Sequence, residues 1–362
     1  MRRILLLAST DLTHDQRMIR ICRSLAAHGF SICLIGREQP SSAPLKGEPY
    51  EQVRLRCGFQ RGKAFYIEFN LRLFWYLLKA PFDAVCAADL DTLAPAVLVA
   101  KLRNKRVVYD AHEYFSETPE LLGRPFVKKC WEKLADWAIP KTDRCYTVGQ
   151  ELAALLGQRY HKSFGVVRNM PFRSQAPDRV ISPPILLYQG ALNVGRGLEQ
   201  ILSALPLLPD CTLWLAGEGD LSRSLRQQVV DKGLSDRVCF LGRLSPDALR
   251  NITLQARIGL NLLENKSLSY YYSLANKAFD YVQAGVPSLQ MDFPEYKHLN
   301  AQHECFVLLG DLSPQTIADA VHQLLHDDAL YLRLHQHCRV AAQEWHWEQE
   351  QENLFLQYEA LF

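Results

Sequence analysis

Short apolar runs alternate with helix-like patterns along the whole chain, and the alternation occurs twice. In residues 1–170 the runs Ile4–Ala8, Ser31–Gly36, Ala84–Ala87, Arg106–Asp110, Arg144–Val148 and Phe164–Arg168 predict strands, with helices near 16–28, 66–80, 91–102, 122–139 and 149–158 between them. The second series predicts strands at Ile185–Gln189, Thr212–Ala216, Arg237–Leu241, Ile258–Leu263, Ser288–Met291 and Phe306–Leu309. Its helices fall near 197–206, 220–232, 246–255, 273–284 and 314–326. These strand runs are β-branched or leucine-rich and lack clean alternation, the pattern of parallel strands covered on both faces. Two series of βα units predict an α/β protein with two doubly wound, Rossmann-like domains. The polar, proline-bearing stretch that follows Asn169-Met-Pro-Phe172 and runs to Pro184 reads as a linker. The expected division is 1–170 and 171–344, with a C-terminal helix at 345–362 docking back on the first domain. The tail, roughly 328–362, reads as helical, and Trp345, Trp347, Leu354, Phe355 and Tyr358 supply apolar groups for its docking.

Composition narrows the class. The 362 residues are 48% hydrophobic and 22% charged, as in a soluble globular protein. No stretch approaches the roughly 18 apolar residues of a membrane span. The start, Met1 to Ser9, imitates a signal peptide, but its apolar run ends at Ala8 and is followed by Asp11, His14, Asp15 and Arg17. It reads better as a first strand. Ten cysteines lie scattered, mostly in apolar runs and without a Cys-x-x-Cys pair. That usage suits core packing in a reducing, cytoplasmic setting. The net charge of +2 hides an asymmetry: residues 1–170 carry 26 Lys and Arg against 17 Asp and Glu. The rest carries 15 against 22. A basic front half suits an anionic partner there, such as a membrane surface or a phosphate-bearing acceptor, or is ordinary scatter of surface charge. Nucleic acid is not an expected partner.

Candidate chemistry lies just past the strand ends, where an open α/β sheet binds its ligands. After the strand ending near Gln189, glycines stand at 190, 195 and 197 around Arg196, and a helix follows. A glycine turn opening a helix presents unpaired N–H groups at a positive dipole end, and the arginine fork matches phosphate oxygens. Lys277 and Asp280, three apart on one helix face, offer a second cation and an acceptor for ribose hydroxyls. Asn276 precedes them, and Gly285 and Pro287 end the helix. Gly217 and Gly219 follow another strand, Leu241 and Gly242 can present backbone to a base, and Glu264 follows a third strand. In the front half His112 follows the strand ending at Asp110, and Asp15, Arg17 and Arg20 follow the first strand. These three can meet an acceptor or simply cap and solvate their helix. Asp89-Leu-Asp91 has the carboxylate pair of a metal–diphosphate site, but reads better as the cap of the helix beginning near Thr92. No metal and no cofactor are expected.

Tyr188-Gln-Gly, Gly195-Arg-Gly-Leu-Glu199, Leu215-Ala-Gly-Glu-Gly219, Arg237-Val-Cys-Phe-Leu-Gly242 and Asn276-Lys-Ala-Phe-Asp-Tyr-Val-Gln-Ala-Gly285 form one set. With Tyr109-Asp-Ala-His-Glu113 and Asn169-Met-Pro171, this set resembles the glycosyltransferase group 1 family (family 4) over nearly the whole chain. The resemblance implies the GT-B fold, with two domains facing a central cleft. It implies that Arg196 and Lys277 hold the diphosphate of a UDP- or GDP-sugar and that Asp280 holds the ribose. It places Phe240 to Gly242 by the base and His112 near the transferred sugar. The family's first glutamate maps to Tyr272, so sugar contacts must come from elsewhere, with Glu264 and Asn276 as candidates. The expected activity is metal-independent, retaining transfer to a saccharide or lipid-linked saccharide in surface polysaccharide or glycoconjugate synthesis. The expected location is cytoplasmic, either free or peripheral on the inner face of the membrane. The rivals are a GT-B epimerase, an inverting transferase with His112 as base, and a non-catalytic partner subunit. The run Phe65 to Leu78 is apolar on nearly every face, either as a fully buried helix or as a surface for an anionic membrane.

Overall fold

The computed structural model describes residues 1–13, 15–174 and 183–362. His14 and residues 175–182, most of the expected linker, lie outside the described residues. The chain divides into two compact units, residues 1–169 with 350–362, and residues 170–349.

The first unit is built on seven parallel strands: β1 (Arg3–Leu7), β2 (Ser31–Glu38), β3 (Glu51–Arg56), β4 (Ala84–Ala88), β5 (Arg106–Ala111), β6 (Arg144–Thr147) and β7 (Phe164–Val166). Their order is β3-β2-β1-β4-β5-β6-β7. Ile4 is in register with Ile32 on one side and Ala84 on the other, so the order reverses beside β1. Parallel neighbours require crossovers, which α1 (Gln16–Ala27), α2 (Gly62–Lys79), α3 (Leu93–Leu102), α4 (Pro125–Ala138) and α5 (Gln150–Tyr160) supply. The apolar runs of the central strands, Ile4–Leu7 of β1 and Ala84–Ala88 of β4, are buried throughout.

The second unit repeats the plan with six strands: β8 (Ile185–Gln189), β9 (Thr212–Ala216), β10 (Val238–Gly242), β11 (Ile258–Asn261), β12 (Ser288–Met291) and β13 (Phe306–Leu309). Their order is β10-β9-β8-β11-β12-β13, reversing between β8 and β11. The helices are α6 (Leu198–Ala204), α7 (Ser222–Asp231), α8 (Pro246–Thr253), α9 (Leu268–Tyr271), α10 (Asn276–Gln283), α11 (Pro294–Gln302), α12 (Pro314–His326) and α13 (Asp328–Ala341). The Tyr281 hydroxyl on α10 donates to the carbonyls of Leu187 and Leu260 at 2.9 and 3.2 Å, which fixes α10 against β8 and β11. The Gln283 amide donates to the carbonyls of Ala342 and Trp345 and ties the other side of α10 to the end of α13.

The last helix, α14 (Trp347–Glu359), passes from the second unit into the first. Trp345 belongs to the second unit, packed edge-on against Phe279. From Glu350 onward the chain packs on the first unit. The Phe355 ring stacks on His28 at 3.9 Å, and the Tyr358 hydroxyl meets that of Tyr146 at 3.3 Å. Glu350 accepts the Arg168 N–H at 2.9 Å.

Three elements lie outside the expected series: β3, α9 and α11. β3 is an edge strand with half-exposed, alternating residues, so it lacks the apolar run that marks its neighbours. Leu354 on α14 is fully buried. Leu354→Ala should therefore destabilise the first unit by about 2–5 kcal/mol, the usual range for such a truncation. Urea unfolding followed by limited proteolysis should show residues 1–169 becoming labile at lower urea than in the wild type.

Candidate functional site

In the second unit the reversal of strand order between β8 and β11 leaves a crevice beyond their carboxyl ends. The glycine turn lies there. The Gly190 N–H donates to the Ala216 carbonyl at 2.9 Å and carries the β8–β9 ladder one residue past the sheet. A side chain at Gly217, where φ is +148°, would collide with the Gly190 carbonyl. The two turns therefore lie backbone to backbone. Gly197, at φ +69°, immediately precedes α6, and a side chain there would collide with the Leu262 carbonyl. The Glu264 N–H donates to the Gly195 carbonyl at 3.0 Å and stitches the turn to the loop after β11.

Two aromatic rings carry the cations of this turn. The Arg196 guanidinium lies over Tyr270, 4.9 Å from the ring centroid, and its Nε is buried without a hydrogen bond. Lys277 is buried, its ammonium 3.7 Å from the Tyr188 ring centroid. A cation over an aromatic face is attracted by the ring quadrupole, which partly replaces lost water. The Tyr188 hydroxyl donates to the Ala191 carbonyl at 2.8 Å, which holds that ring in place. Among the described residues neither cation has an ion pair or a side-chain hydrogen bond. Burial and then the neighbouring Arg196 charge hold the Lys277 amine well below its ordinary value, against the opposing Asp280. The turn is thus short of negative charge.

The other expected residues sit around this pair in different ways. Asp280 accepts from the Gln189 amide at 2.8 Å, and Gln189 in turn accepts from the Thr253 hydroxyl at 2.9 Å. Glu264 is paired with Lys266 at 2.7 Å. Leu241 falls at an irregularity of β10, and its side chain packs on the core around Tyr281 and Ala216, so backbone is what it can offer a ligand. Asn276 is the first residue of α10 and is exposed. Tyr272 is half-buried, edge-on to Tyr271 at 5.2 Å.

The first unit gathers its own cluster where β1, β4 and β5 end. Arg17 and Asp110 form a buried ion pair at 2.7 Å, and Arg17 also donates to the Val167 carbonyl at 3.1 Å. His112 Nε2 lies 3.1 Å from Asp110 and Nδ1 lies 3.3 Å from Asp89, while the His112 backbone N–H donates to Asp89 at 2.9 Å. Burial disfavours the charged imidazole, but Asp89 and Asp110 outweigh it and raise His112 well above its ordinary value. Burial likewise works to raise Asp110, yet Arg17 and His112 bring it down to about 2. Asp91 is buried with one carboxylate oxygen unpartnered, and burial raises it to about 7.

Several expectations for this region are corrected. Asp89 does not cap the helical turn at Leu90–Thr92; it adopts φ +61° and turns its carboxylate to His112. Asp15 does cap α1, accepting the Met18 N–H at 3.1 Å. Arg17 is in the core rather than on the surface, Arg20 bonds the Asn169 side chain, and Arg23 is held by Glu48. Arg17 is therefore committed within the fold, whereas Arg23 stays on the surface with its charge paired to Glu48. The aromatic seats of the cations, Tyr188 and Tyr270, are absent from the expected site. The available signal for the first is a tyrosine at a strand end beside a glycine turn. Asp110 is absent from it too, though a carboxylate inside an apolar strand implies a buried partner.

Residues 172–345 match the family described as Glycosyl transferases group 1, and residues 16–169 match Glycosyltransferase Family 4. The chain belongs to the group 1 glycosyltransferases. It is 25% identical over 159 residues to the lipopolysaccharide core biosynthesis glycosyltransferase LpsE of Rhizobium meliloti (strain 1021), a match that spans 43% of this chain and 44% of that protein. The sucrose-phosphate synthase of Thermosynechococcus elongatus shares the fold with a TM-score of 0.81 at 17% identity, over 100% of this chain and 99% of that one. Anabaena HepE in complex with UDP-glucose does so with a TM-score of 0.76 at 14% identity, over 98% and 99% of the two chains. The fold is accordingly GT-B.

The unpaired lysine gives a test with two opposite outcomes. Lys277→Met keeps the volume and removes a buried charge, so the unliganded protein should melt higher than the wild type near neutral pH. The gain should shrink as pH rises toward the ordinary lysine value. There the wild-type chain unfolds to a state that binds more protons than the folded one, so its own stability climbs. The same variant should lose the melting shift that a nucleoside diphosphate produces. A lower unliganded melting temperature, or an intact nucleotide shift, would contradict this account of Lys277.

Proposed function

We propose that the chain transfers a sugar from a nucleoside-diphosphate sugar to a saccharide or lipid-linked saccharide, with retention and without a metal. The observation that carries this reading is a pair of cations without a counter-charge, the half-buried Arg196 and the buried Lys277, at the glycine turn beyond β8. A diphosphate supplies the missing charge. Charge grows on the leaving diphosphate as the glycosidic bond breaks, so cations fixed in advance stabilise the transition state more than the ground state. Two such cations and the N–H groups of the turn can take the part a metal plays elsewhere. Asp280, with its carboxylate oriented by Gln189, is placed for ribose hydroxyls. Gly190, Gly197 and Gly217 let backbone approach the phosphates, the Leu241 backbone is assigned to the base, and Glu264 and Asn276 to the sugar.

His112 supports retention over inversion. Both of its ring nitrogens are taken by carboxylates, so neither offers a lone pair for an acceptor proton. Its role is that of a fixed positive charge against the sugar substrate. The match to a lipopolysaccharide core transferase favours an acceptor of the surface-glycoconjugate kind. UDP-glucose, which HepE binds, is the first donor to try.

Arg196→Ala should weaken nucleotide binding by about 1.5–3 kcal/mol, the worth of a charge-assisted contact, which is roughly 10- to 150-fold in calorimetry. Wild-type affinity in that variant would misplace the diphosphate. Transfer should persist in chelator, and proton NMR of the first-formed product should show the anomeric configuration of the donor. Loss of activity restored by manganese or magnesium would refute the metal-free reading, and an inverted product would refute retention. His112→Gln should lower kcat while leaving nucleotide affinity close to wild type.

A further inference from the structure

α2 has two apolar rows. Phe65, Phe69, Leu73 and Leu77, four residues apart, are buried and form its core side. Ile67, Leu71 and Trp75 form a second row at the same spacing and stand 63, 55 and 60% exposed. Lys63 and Lys79 continue this exposed row at its two ends. Single exposed hydrophobic residues are common, but three in one row with a tryptophan are a surface feature. The patch extends onto α4. The Lys63 ammonium lies 6.0 Å from the ring centroid of Phe126, which is 74% exposed. Lys129 and Lys133 follow Phe126 along α4 and are exposed. Among the described residues none of these four lysines has an ion pair. On α2, Glu68 is engaged by Arg72 and by the N–H groups of Gly58 and Phe59; on α4, Asp136 faces Arg159, and Glu132 is the one acid set against the lysines, leaving the face with a net positive charge.

We propose that this α2–α4 face docks on an anionic lipid bilayer, with Ile67, Leu71, Trp75 and Phe126 entering the headgroup–acyl boundary and the lysines meeting lipid phosphates. Charge selects the occupant. A second copy of the same face would set unpaired lysines against unpaired lysines, whereas an anionic bilayer offers opposite charge and an apolar layer together. Long lysine stems suit this boundary because they bury their carbons and keep the ammonium at the headgroups. The face deepens the proposed reading and rests on it in one respect: a lipid-linked acceptor would be met at that bilayer. The docking itself stands on the geometry alone.

The test uses the full chain and vesicles of phosphatidylcholine alone or mixed with phosphatidylglycerol, at low and high salt. Co-sedimentation should occur with the anionic vesicles and weaken with salt. Leu71→Ser with Trp75→Ser should lower partitioning by at least about tenfold, and Lys63→Glu with Lys129→Glu should remove the salt-sensitive part. All four positions are exposed, so the variants should keep the wild-type circular dichroism and nucleotide affinity. Failure of the wild type to bind anionic vesicles at low salt would overturn the proposal, as would undiminished binding by both variants. So would a lipid-free dimer, seen by light scattering, that Leu71→Ser with Trp75→Ser dissolves. Nucleotide affinity is read separately, so loss of docking with intact nucleotide binding rejects this face and leaves the transferase reading standing.

Discussion

A parallel sheet whose strand order reverses beside its first strand leaves two neighbouring loops that must leave in opposite directions. Both units of this chain are built around that constraint, at β1 and β4 in one and at β8 and β11 in the other. Loops that part cannot fill the space between them with their own side chains. In the second unit the space is kept open by Gly190, Gly197 and Gly217, whose backbones approach so closely that a Cβ would not fit at the latter two. In the first unit the same place is filled by a cluster of ionised side chains around His112.

The two places solve the electrostatic problem of burial in opposite ways. Around His112 the charges are matched: Arg17 and the imidazole face Asp110 and Asp89. Such a set is rigid, because moving one member strands another in low dielectric. Around Arg196 and Lys277 the charges are not matched, and the rings of Tyr270 and Tyr188 offer only partial compensation. The first arrangement holds a shape; the second leaves positive charge uncompensated. Helix α10 links that charge to the sheet, since Tyr281 ties it to β8 and β11 while Lys277 and Asp280 reach toward the β8 turn.

Much of this is legible in the sequence because buried parallel strands announce themselves as apolar runs. The apolar pattern predicts a first strand at Ile4–Ala8 against the observed Arg3–Leu7, and a fourth at Ala84–Ala87 against Ala84–Ala88. β3 is not legible, since an edge strand with half its residues in water has no such run. Glycine spacing and the Lys277–Asp280 pair mark the turn beyond β8, but the rings beneath the cations come from positions far apart in sequence. Local spacing around Arg196 says nothing of Tyr270, which meets it only after β11 is laid beside β8. Arg17 and Asp110 are separated by 93 positions, and neither residue's neighbours reveal the other. Asp89 reads as a helix cap because caps are local and histidine partners are not.

The closing helix has a consequence for the order in which the molecule is made. Residues 350–362 complete the unit that begins at Met1, yet all of residues 170–349 are translated between. The first half of the chain leaves the ribosome with the side of its sheet that Phe355 and Tyr358 cover still bare, including His28 and Tyr146. The second unit can close on its own residues while the first still waits. The domain that is synthesised first is therefore finished last, and its exposed apolar side is open to chaperones or to misassembly for the whole time the second domain is being made.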